Sequence, residues 1–540
     1  MKLPGTCLLI CALCGVISGQ SNDAGIPVTD RLVIDKCGTC HPRDESGNMQ
    51  RVSWQRTTPE GWQDEIKQMI LRNGLSLTPE EARSIVRSLS ADHGLSPEEA
   101  RPVMYDPERR ITEETNIPSE RMRECGRCHA FARALEWRRS AAEWKEFSAR
   151  HTERYKIRAG DEAVAFLTTA APLHTPQWEA WSTRKVSPDL SGTWLVNAYV
   201  PGRGSLYGRI QIDRSAAGEY NTRVELRSVK DGLRIVRAGR GAVFGGYAWR
   251  GRSSSDTAVS PPDSLASEAR EVMWFAPDQS SAEGRWFWGQ YQEFEFNVKI
   301  QRRPSGSTLL ALDCSALRLG SRSNRISVFG DRLPDKVSAA DFDLGTGVTV
   351  RSIVSHTPDE AVLDVDVAQS AQPGKRDFHL GASVLHGAIA IYDRIDYVDV
   401  RPGSSVAAFG DREHPKGFHQ FEAIAYQRGP DGRLHTPDDL ELGPVDADWS
   451  VQVFHAAEGA SSQFVGTMSA SGLFTPADKN PGNNFDCWVT AVTKERDRNG
   501  EALTGKSYMV VTVPTYVFNG RRYVRDLDRW IDDGPAGGAP

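Results

Sequence analysis

Cys37-Gly38-Thr39-Cys40-His41 and Cys125-Gly126-Arg127-Cys128-His129 decide how the first part of this 540-residue chain is read. Both are C-x-x-C-H. With 9 Cys and 12 His in 540 positions, chance yields roughly 0.003 such matches, so two of them point to chemistry. Two thiols one helical turn apart can each add to a vinyl group of one haem, and the next residue then offers its imidazole to the iron as the proximal ligand. The expectation is two covalently bound c-type haems, held through Cys37, Cys40, Cys125 and Cys128, with His41 and His129 on the irons. Two competing readings use the same thiols: a zinc site built from both C-x-x-C pairs, and a thioredoxin-like redox pair. Zinc has no need of His at the next position twice, and no βαβ pattern surrounds either pair.

Each iron also needs a sixth ligand or an open position. Aligned on tryptophan, Trp62-Gln-Asp-Glu-Ile-Lys-Gln-Met69 matches Trp144-Lys-Glu-Phe-Ser-Ala-Arg-His151. A good iron ligand lies seven residues after Trp in both. Thr58-Pro59-Glu60 opens one helix and Ser140 with Glu143 caps the other, so Trp62, Ile66 and Met69 share a face, as do Trp144, Phe147 and His151. The pairs expected are His41/Met69 and His129/His151. His93 and Met104 are the alternatives to Met69, and His174 competes with His151. Trp54, Trp62, Trp137 and Trp144 read as haem-pocket walls.

The N-terminus reads as an address. Lys2 precedes an apolar run, Leu8 to Ile17, too short to span a bilayer and followed by Ser18 and Gly19, which suits a secretory signal peptide over 1–19. No later segment approaches 18 apolar residues, so an exported protein without a membrane span is expected, in the periplasm of a bacterial cell. Hydrophobic residues at 39% and charged residues at 25% fit a globular chain with real cores, and the length calls for three or four domains. The net charge of −6 offers no general basic field for a nucleic-acid backbone. After the three cysteines of the leader and the four of the motifs, Cys314 and Cys487 remain; a disulfide or two separate thiols both fit.

From the first motif to about Trp181 the pattern is helical, with Thr78-Pro79-Glu80-Glu81 and Ser96-Pro97-Glu98-Glu99 as further helix starts. Beyond Pro188 short alternating segments broken by Gly, Pro, Asn and Asp take over: Thr193–Tyr199, Tyr207–Asp213, Thr222–Leu226, Arg285–Tyr291 and Phe294–Ile300, then similar runs to Lys506–Val513. Their spacing is that of β-sandwiches. No catalytic constellation stands out in this β-rich part. Gly202-Arg203-Gly204 reads as a turn, and His414 and His419 sit in a Gly/Pro loop with no second metal-ligand partner. Cys487-Trp488 lies on a strand, which sends the two side chains to opposite faces.

With these motifs the chain resembles the α subunit of quinohemoprotein amine dehydrogenases. The resemblance rests on both C-x-x-C-H motifs, on Gly94-Leu95-Ser96-Pro97-Glu98-Glu99-Ala100, Leu190-Ser191-Gly192-Thr193-Trp194 and Gly246-Tyr247-Ala248-Trp249-Arg250-Gly251, and on Gly387 to Asp396 and Gly472-Leu473-Phe474-Thr475-Pro476-Ala477. It implies a multidomain chain: an all-α di-haem cytochrome c domain over 20–185, an antiparallel β-barrel over 186–313, immunoglobulin-like β-sandwiches over 314–396 and 397–518, and a tail over 519–540. It also implies a heterotrimer. A small γ subunit would carry a tryptophan-derived quinone that deaminates primary amines, and a β-propeller subunit would assist. This chain would take electrons from the quinone and pass them to a soluble acceptor such as a cupredoxin or cytochrome c, with no catalytic residue of its own. The alternative, from another class, is a stand-alone di-haem electron carrier whose β domains dock a different redox partner.

Overall fold

The tryptophan repeat of the sequence is a repeat of structure. In the computed structural model, which describes residues 23–103, 131–156, 160–184, 189–255, 262–454, 461–497 and 499–514, the helices are α1 (Arg31–Cys37), α2 (Pro59–Asn73), α3 (Pro79–Asp92), α4 (Pro97–Ala100), α5 (Ala132–Leu135), α6 (Ala141–Tyr155), α7 (Asp161–Ala170) and α8 (Pro176–Ser182). Helices α2 and α6 are both 15 residues long and fall in register when Trp62 is laid on Trp144. Their starts match too. The hydroxyl of Thr58 accepts the Gly61 N–H at 3.2 Å, and that of Ser140 accepts the Glu143 N–H at 3.2 Å, each satisfying a donor the first helical turn leaves open.

The chain divides into two compact units, one of residues 1–61, 88–103 and 113–184, the other of 62–87, 104–112 and 185–540. The first is not purely helical, contrary to the all-α expectation. Strands β1 (Gln55–Thr57) and β2 (Trp137–Arg139) pair antiparallel, with Gln55 opposite Arg139, Arg56 opposite Arg138 and Thr57 opposite Trp137. At three residues each, with arginine where an alternating pattern would show, they give no strand signal. The repeat makes Arg56 and Arg138 equivalent positions, and these two also face each other, so the strands are related by a local twofold through that pair.

Glu99 bridges it. Its carboxylate takes Arg56 Nη1 at 2.8 Å and Nη2 at 2.9 Å, Arg138 Nε at 3.3 Å and the Thr175 hydroxyl at 2.8 Å, and it accepts the Ser96 N–H at 2.9 Å in a capping box. Arg56 is fully buried, gives Nε–H to the Leu173 carbonyl at 2.7 Å and lies 4.6 Å from the Trp178 ring. Burial by itself pushes the Glu99 carboxyl up; the Arg56 hydrogen bonds and the charges of Arg56 and Arg138 outweigh it and hold the group below its ordinary value. Ile26, Trp54, Leu173 and Trp178 form the apolar cluster of this unit, and Phe131, Leu135, Ala163 and Phe166 a second one.

The second unit is β-rich. Strands β3 (Gly192–Val200), β4 (Gly204–Ala216), β5 (Glu219–Ser228), β6 (Arg234–Phe244), β7 (Ala248–Ser254), β8 (Ala269–Phe275), β9 (Ser281–Trp288) and β10 (Phe294–Arg302) close into an up-and-down barrel in which β10 returns to β3. Closure leaves no open edge. Trp194, Tyr220, Trp249, Phe275, Trp286 and Phe296 pack its core. Gly241 makes room there, because a Cβ would run into the Trp249 indole. Arg87 of α3 is tied to Glu219 of the barrel at 2.6 Å.

Two four-stranded sheets follow between Thr308 and Tyr392 around a shared core with Ile326, Leu363, Phe378 and Ile391. Three sheets between Tyr397 and Thr512, one of four strands and two of three, enclose another, with Phe421, Phe474, Val489 and Met509. Cys314 packs against the first core and Cys487 lies in the second, each a free thiol. Cys487 is buried while Trp488 is 38% exposed, the alternation expected of neighbours on a strand. His419 is on a short strand paired with Phe474, not in a loop, and His414 leans on the Asp411 carboxylate at 3.0 Å.

Candidate haem site

Helix α1 delivers the first motif. Asp30 caps it, accepting the Val33 N–H at 3.0 Å, and the turn continues past its end: the Cys40 and His41 N–H groups both reach the Cys37 carbonyl, at 3.2 and 2.9 Å. The two thiols therefore leave one turn of backbone. Cys37 is half-buried and Cys40 exposed, and both are free. Burial, then the neighbouring Cys40, pushes the Cys37 thiol up.

His41 is oriented from behind. Its Nδ1 stands 3.0 Å from the Gln50 carbonyl oxygen, and since a carbonyl only accepts, the neutral ring carries its proton on Nδ1 and keeps the Nε2 lone pair for a metal. The loop supplying that carbonyl is braced: Gln50 N–H returns to the Pro42 carbonyl at 3.1 Å, Asn48 N–H to the Asp44 carboxylate at 2.8 Å, and Met49 N–H to the Ser53 hydroxyl at 2.8 Å. Two adjacent free thiols and an imidazole with a fixed tautomer are the donor set a thioether-linked haem needs. The residues fit the group.

Cys125, Cys128 and His129 of the second motif, and Met104, lie outside the described residues. Met69 belongs to the second unit and His41 to the first. On α2, Met69 is half-buried beyond buried Trp62 and Ile66, and its Sδ accepts the Asn73 side-chain N–H at 3.4 Å. On α6, Trp144 is buried with its indole N–H on the Ala171 carbonyl at 2.9 Å, and half-buried His151 sits between the rings of Phe147 at 5.9 Å and Tyr155 at 4.8 Å. The rival histidines are engaged elsewhere. His93 is buried with Nε2 on the Ile26 carbonyl at 3.1 Å, and burial takes its pKa down to about 4. His174 meets the Ala24 carbonyl at 2.7 Å and the edge of Trp178 at 5.4 Å.

The sequence reading missed Arg139. It is 3% exposed, with its guanidinium 4.1 Å from the Trp137 ring, 4.6 Å from Phe147 and 5.1 Å from Trp144. A cation one residue before a capping serine, amid aromatic residues of a strand and the next helix face, is the signal that could have found it. Among the described residues no group of three or more His, Cys, Asp or Glu side chains could hold a metal ion, and no helix is long and apolar enough to cross a membrane. In the β-rich unit a cleft of about 1080 Å³ is lined by Tyr199, Cys314, His386, Glu422 and Trp449 among others. There Glu422 accepts the Tyr199 hydroxyl at 2.5 Å and the Gly202 N–H at 2.9 Å. That is a structural clasp, without a nucleophile and base in contact.

Four family profiles match the chain in order. "Quinohemoprotein amine dehydrogenase A, alpha subunit, haem binding" covers residues 28–160, and domains II, III and IV of the same alpha subunit cover 187–303, 306–393 and 398–520. No curated protein matches the sequence. Solved structures with partial likeness include a redesigned β-barrel at 11% identity, over 21% of this chain and 92% of that one, TM-score 0.18. Others are mouse cadherin-23 EC22–24 at 10% identity, over 60% and 87%, TM-score 0.15, and Sidekick-1 immunoglobulin domains 1–4 at 9%, over 61% and 98%, TM-score 0.14. Scores this low carry no inference about fold or function.

Proposed function

The chain belongs to the quinohemoprotein amine dehydrogenase alpha-subunit family, and from that premise we propose that it is the di-haem electron-transfer subunit of a periplasmic amine dehydrogenase. A quinone-bearing γ subunit oxidises primary amines, a β-propeller subunit completes the heterotrimer, and a soluble cupredoxin or cytochrome c receives the electrons. The signal peptide over 1–19 exports the chain. The di-haem domain over 20–185 works in front of a barrel over 186–313, two immunoglobulin-like sandwiches over 314–396 and 397–518, and a tail over 519–540.

The observation that carries this reading is the His41 lock: a C-x-x-C-H turn inside the matched haem-binding segment, with the imidazole tautomer fixed for a metal by the Gln50 carbonyl. Cys37 and Cys40 would hold one haem covalently, with His41 offering its imidazole to the iron. Cys125, Cys128 and His129 would do the same for the second, with Met69 and His151 as the further residues that would ligate the irons. A haem held in this way supplies one-electron transfer. Thioether is a poorer donor to ferric iron than imidazole, so Met69 sets a higher potential at its site than His151 does at the other, and the difference directs electrons toward the methionine side.

The test is a division of labour. Amine-dependent dye reduction is expected from the complex purified with its partner subunits and not from this chain alone. Activity in the isolated chain, free of other polypeptides by intact mass, overturns the proposal.

A further inference from the structure

The two copies differ in length just after their C-x-x-C-H motifs. Thirteen residues separate His41 from Gln55 of β1, and seven separate His129 from Trp137 of β2. The shorter link contains the single helical turn α5. The longer one contains a hairpin, in which Arg43 and Met49 face each other as an antiparallel bridge and the Gln50 N–H closes on the Pro42 carbonyl at 3.1 Å. One carboxylate holds its turn. Asp44 accepts the Asn48 N–H at 2.8 Å through one oxygen and the Asn48 side-chain N–H at 3.1 Å through the other, while the Asp44 N–H reaches the Asn48 carbonyl at 2.9 Å. Gly47 turns the corner at φ +87°, and fully buried Met49 anchors the returning arm. That arm ends on Gln50, whose carbonyl oxygen stands 3.0 Å from His41 Nδ1.

We propose that Asp44 is a positioning residue for His41: by closing the hairpin over Pro42 to Gln50 it holds the Gln50 carbonyl against Nδ1, and so lowers the reduction potential of the haem attached at Cys37 and Cys40. The inference rests on the haem reading given above. An imidazole that gives its Nδ1–H to a carbonyl is a stronger donor at Nε2, and a stronger donor favours ferric over ferrous iron. Gln50 is itself exposed, so the arms of the hairpin, and not core packing around its side chain, set where that carbonyl sits. Asp44 is exposed as well, and the Asn48 N–H holds its carboxyl below the ordinary value. It acts through the backbone, three residues beyond the imidazole in sequence. A hairpin of nine residues does not fit into a link of seven, so the device belongs to the first copy alone.

The test is a spectroelectrochemical titration of the full-length exported holoprotein, comparing wild type with Asp44→Ala, Asp44→Asn and Gly47→Ala at one pH. Asp44→Ala is expected to raise the potential of one haem and leave the other where it was. Asp44→Asn removes the same charge but keeps an oxygen for the Asn48 N–H, so it should stay close to wild type. An equal rise in both Asp44 variants means that the charge acts directly, and overturns the inference, as does an unchanged potential in Asp44→Ala. Gly47→Ala puts a side chain on a left-handed corner and strains the same turn with no change of charge. It should raise the same potential. Should Asp44→Ala fail to mature, Gly47→Ala decides, and no upward shift there overturns the proposal. Haem at the first motif is read separately, by the mass of the peptide carrying Cys37 and Cys40: its absence from the wild-type chain refutes the haem reading, whereas haem present with potentials that ignore the hairpin refutes only the role of Asp44.

Discussion

Helices α2 and α6 have the same length, the same tryptophan near the start and the same kind of hydroxyl cap, yet they differ at the positions that matter chemically. Met69 stands where the other copy has His151. One turn on, Asn73 of α2 reaches the methionine sulfur, whereas Tyr155 of α6 packs on the histidine ring. One strand residue before the cap, Thr57 is replaced by the caged Arg139. A duplicated scaffold therefore keeps its backbone rules while the side chains at the paired positions Met69/His151, Asn73/Tyr155 and Thr57/Arg139 change independently. Helix caps and buried tryptophan are the shared requirements; the residues around Met69 and His151 are free to diverge.

The comparison can be broken most completely at the cysteines of the two C-x-x-C-H motifs. Cys37→Ala is expected to weaken haem attachment at the first site alone and Cys125→Ala at the second alone, read as haem content per chain; loss of both haems in either variant means that the copies do not mature independently. Next comes the element the copies share. Glu99→Gln leaves Arg56 and Arg138 without their buried carboxylate, which is expected to cost about 3–5 kcal/mol, read as a lower unfolding midpoint. A loss near zero means that the local twofold is not held by this carboxylate.

Acid provides a milder test. His93 is buried and its folded pKa, about 4, lies below the ordinary 6.5. The unfolded chain therefore takes up the proton first, so stability falls as pH drops from about 6.5 to about 4, by a total of about 3 kcal/mol from this group. A pH-independent unfolding free energy across that range contradicts the buried neutral ring. The smallest expected effects sharpen the difference between the copies. Met69→Ala should remove the methionine-to-ferric charge-transfer band and lower one potential, and His151→Ala should turn the other iron high-spin. If Met69→Ala changes neither band nor potential, the methionine is not a ligand.

What the sequence made legible follows physical range. The C-x-x-C-H motifs and the α2/α6 repeat are local patterns, and α2 ends at Asn73, just before Gly74 at positive φ. Strands with alternating apolar residues, such as Gly192–Val200 and Phe294–Arg302, were readable for the same reason. Strands β6 and β7 were not. Their sequences carry Arg237, Gly239, Gly241 and Gly251, where Gly241 yields space to Trp249 and Arg237 is buried against Ser253 and the Leu265 carbonyl, so the period-two signal vanishes. The start at Ser96 opens one α-helical turn, Pro97–Ala100, which passes into a 3-10 turn at Arg101–Val103, where Pro102 has no N–H to continue the α-helical ladder. The Arg56–Glu99 contact joins residues 43 positions apart, and no local pattern announces such a meeting.

Everything rests on haem being attached twice. Intact mass of the exported, mature chain tests this most directly. The result expected is the polypeptide after removal of the leader plus two haem masses. An increment of one haem, or none, contradicts the account.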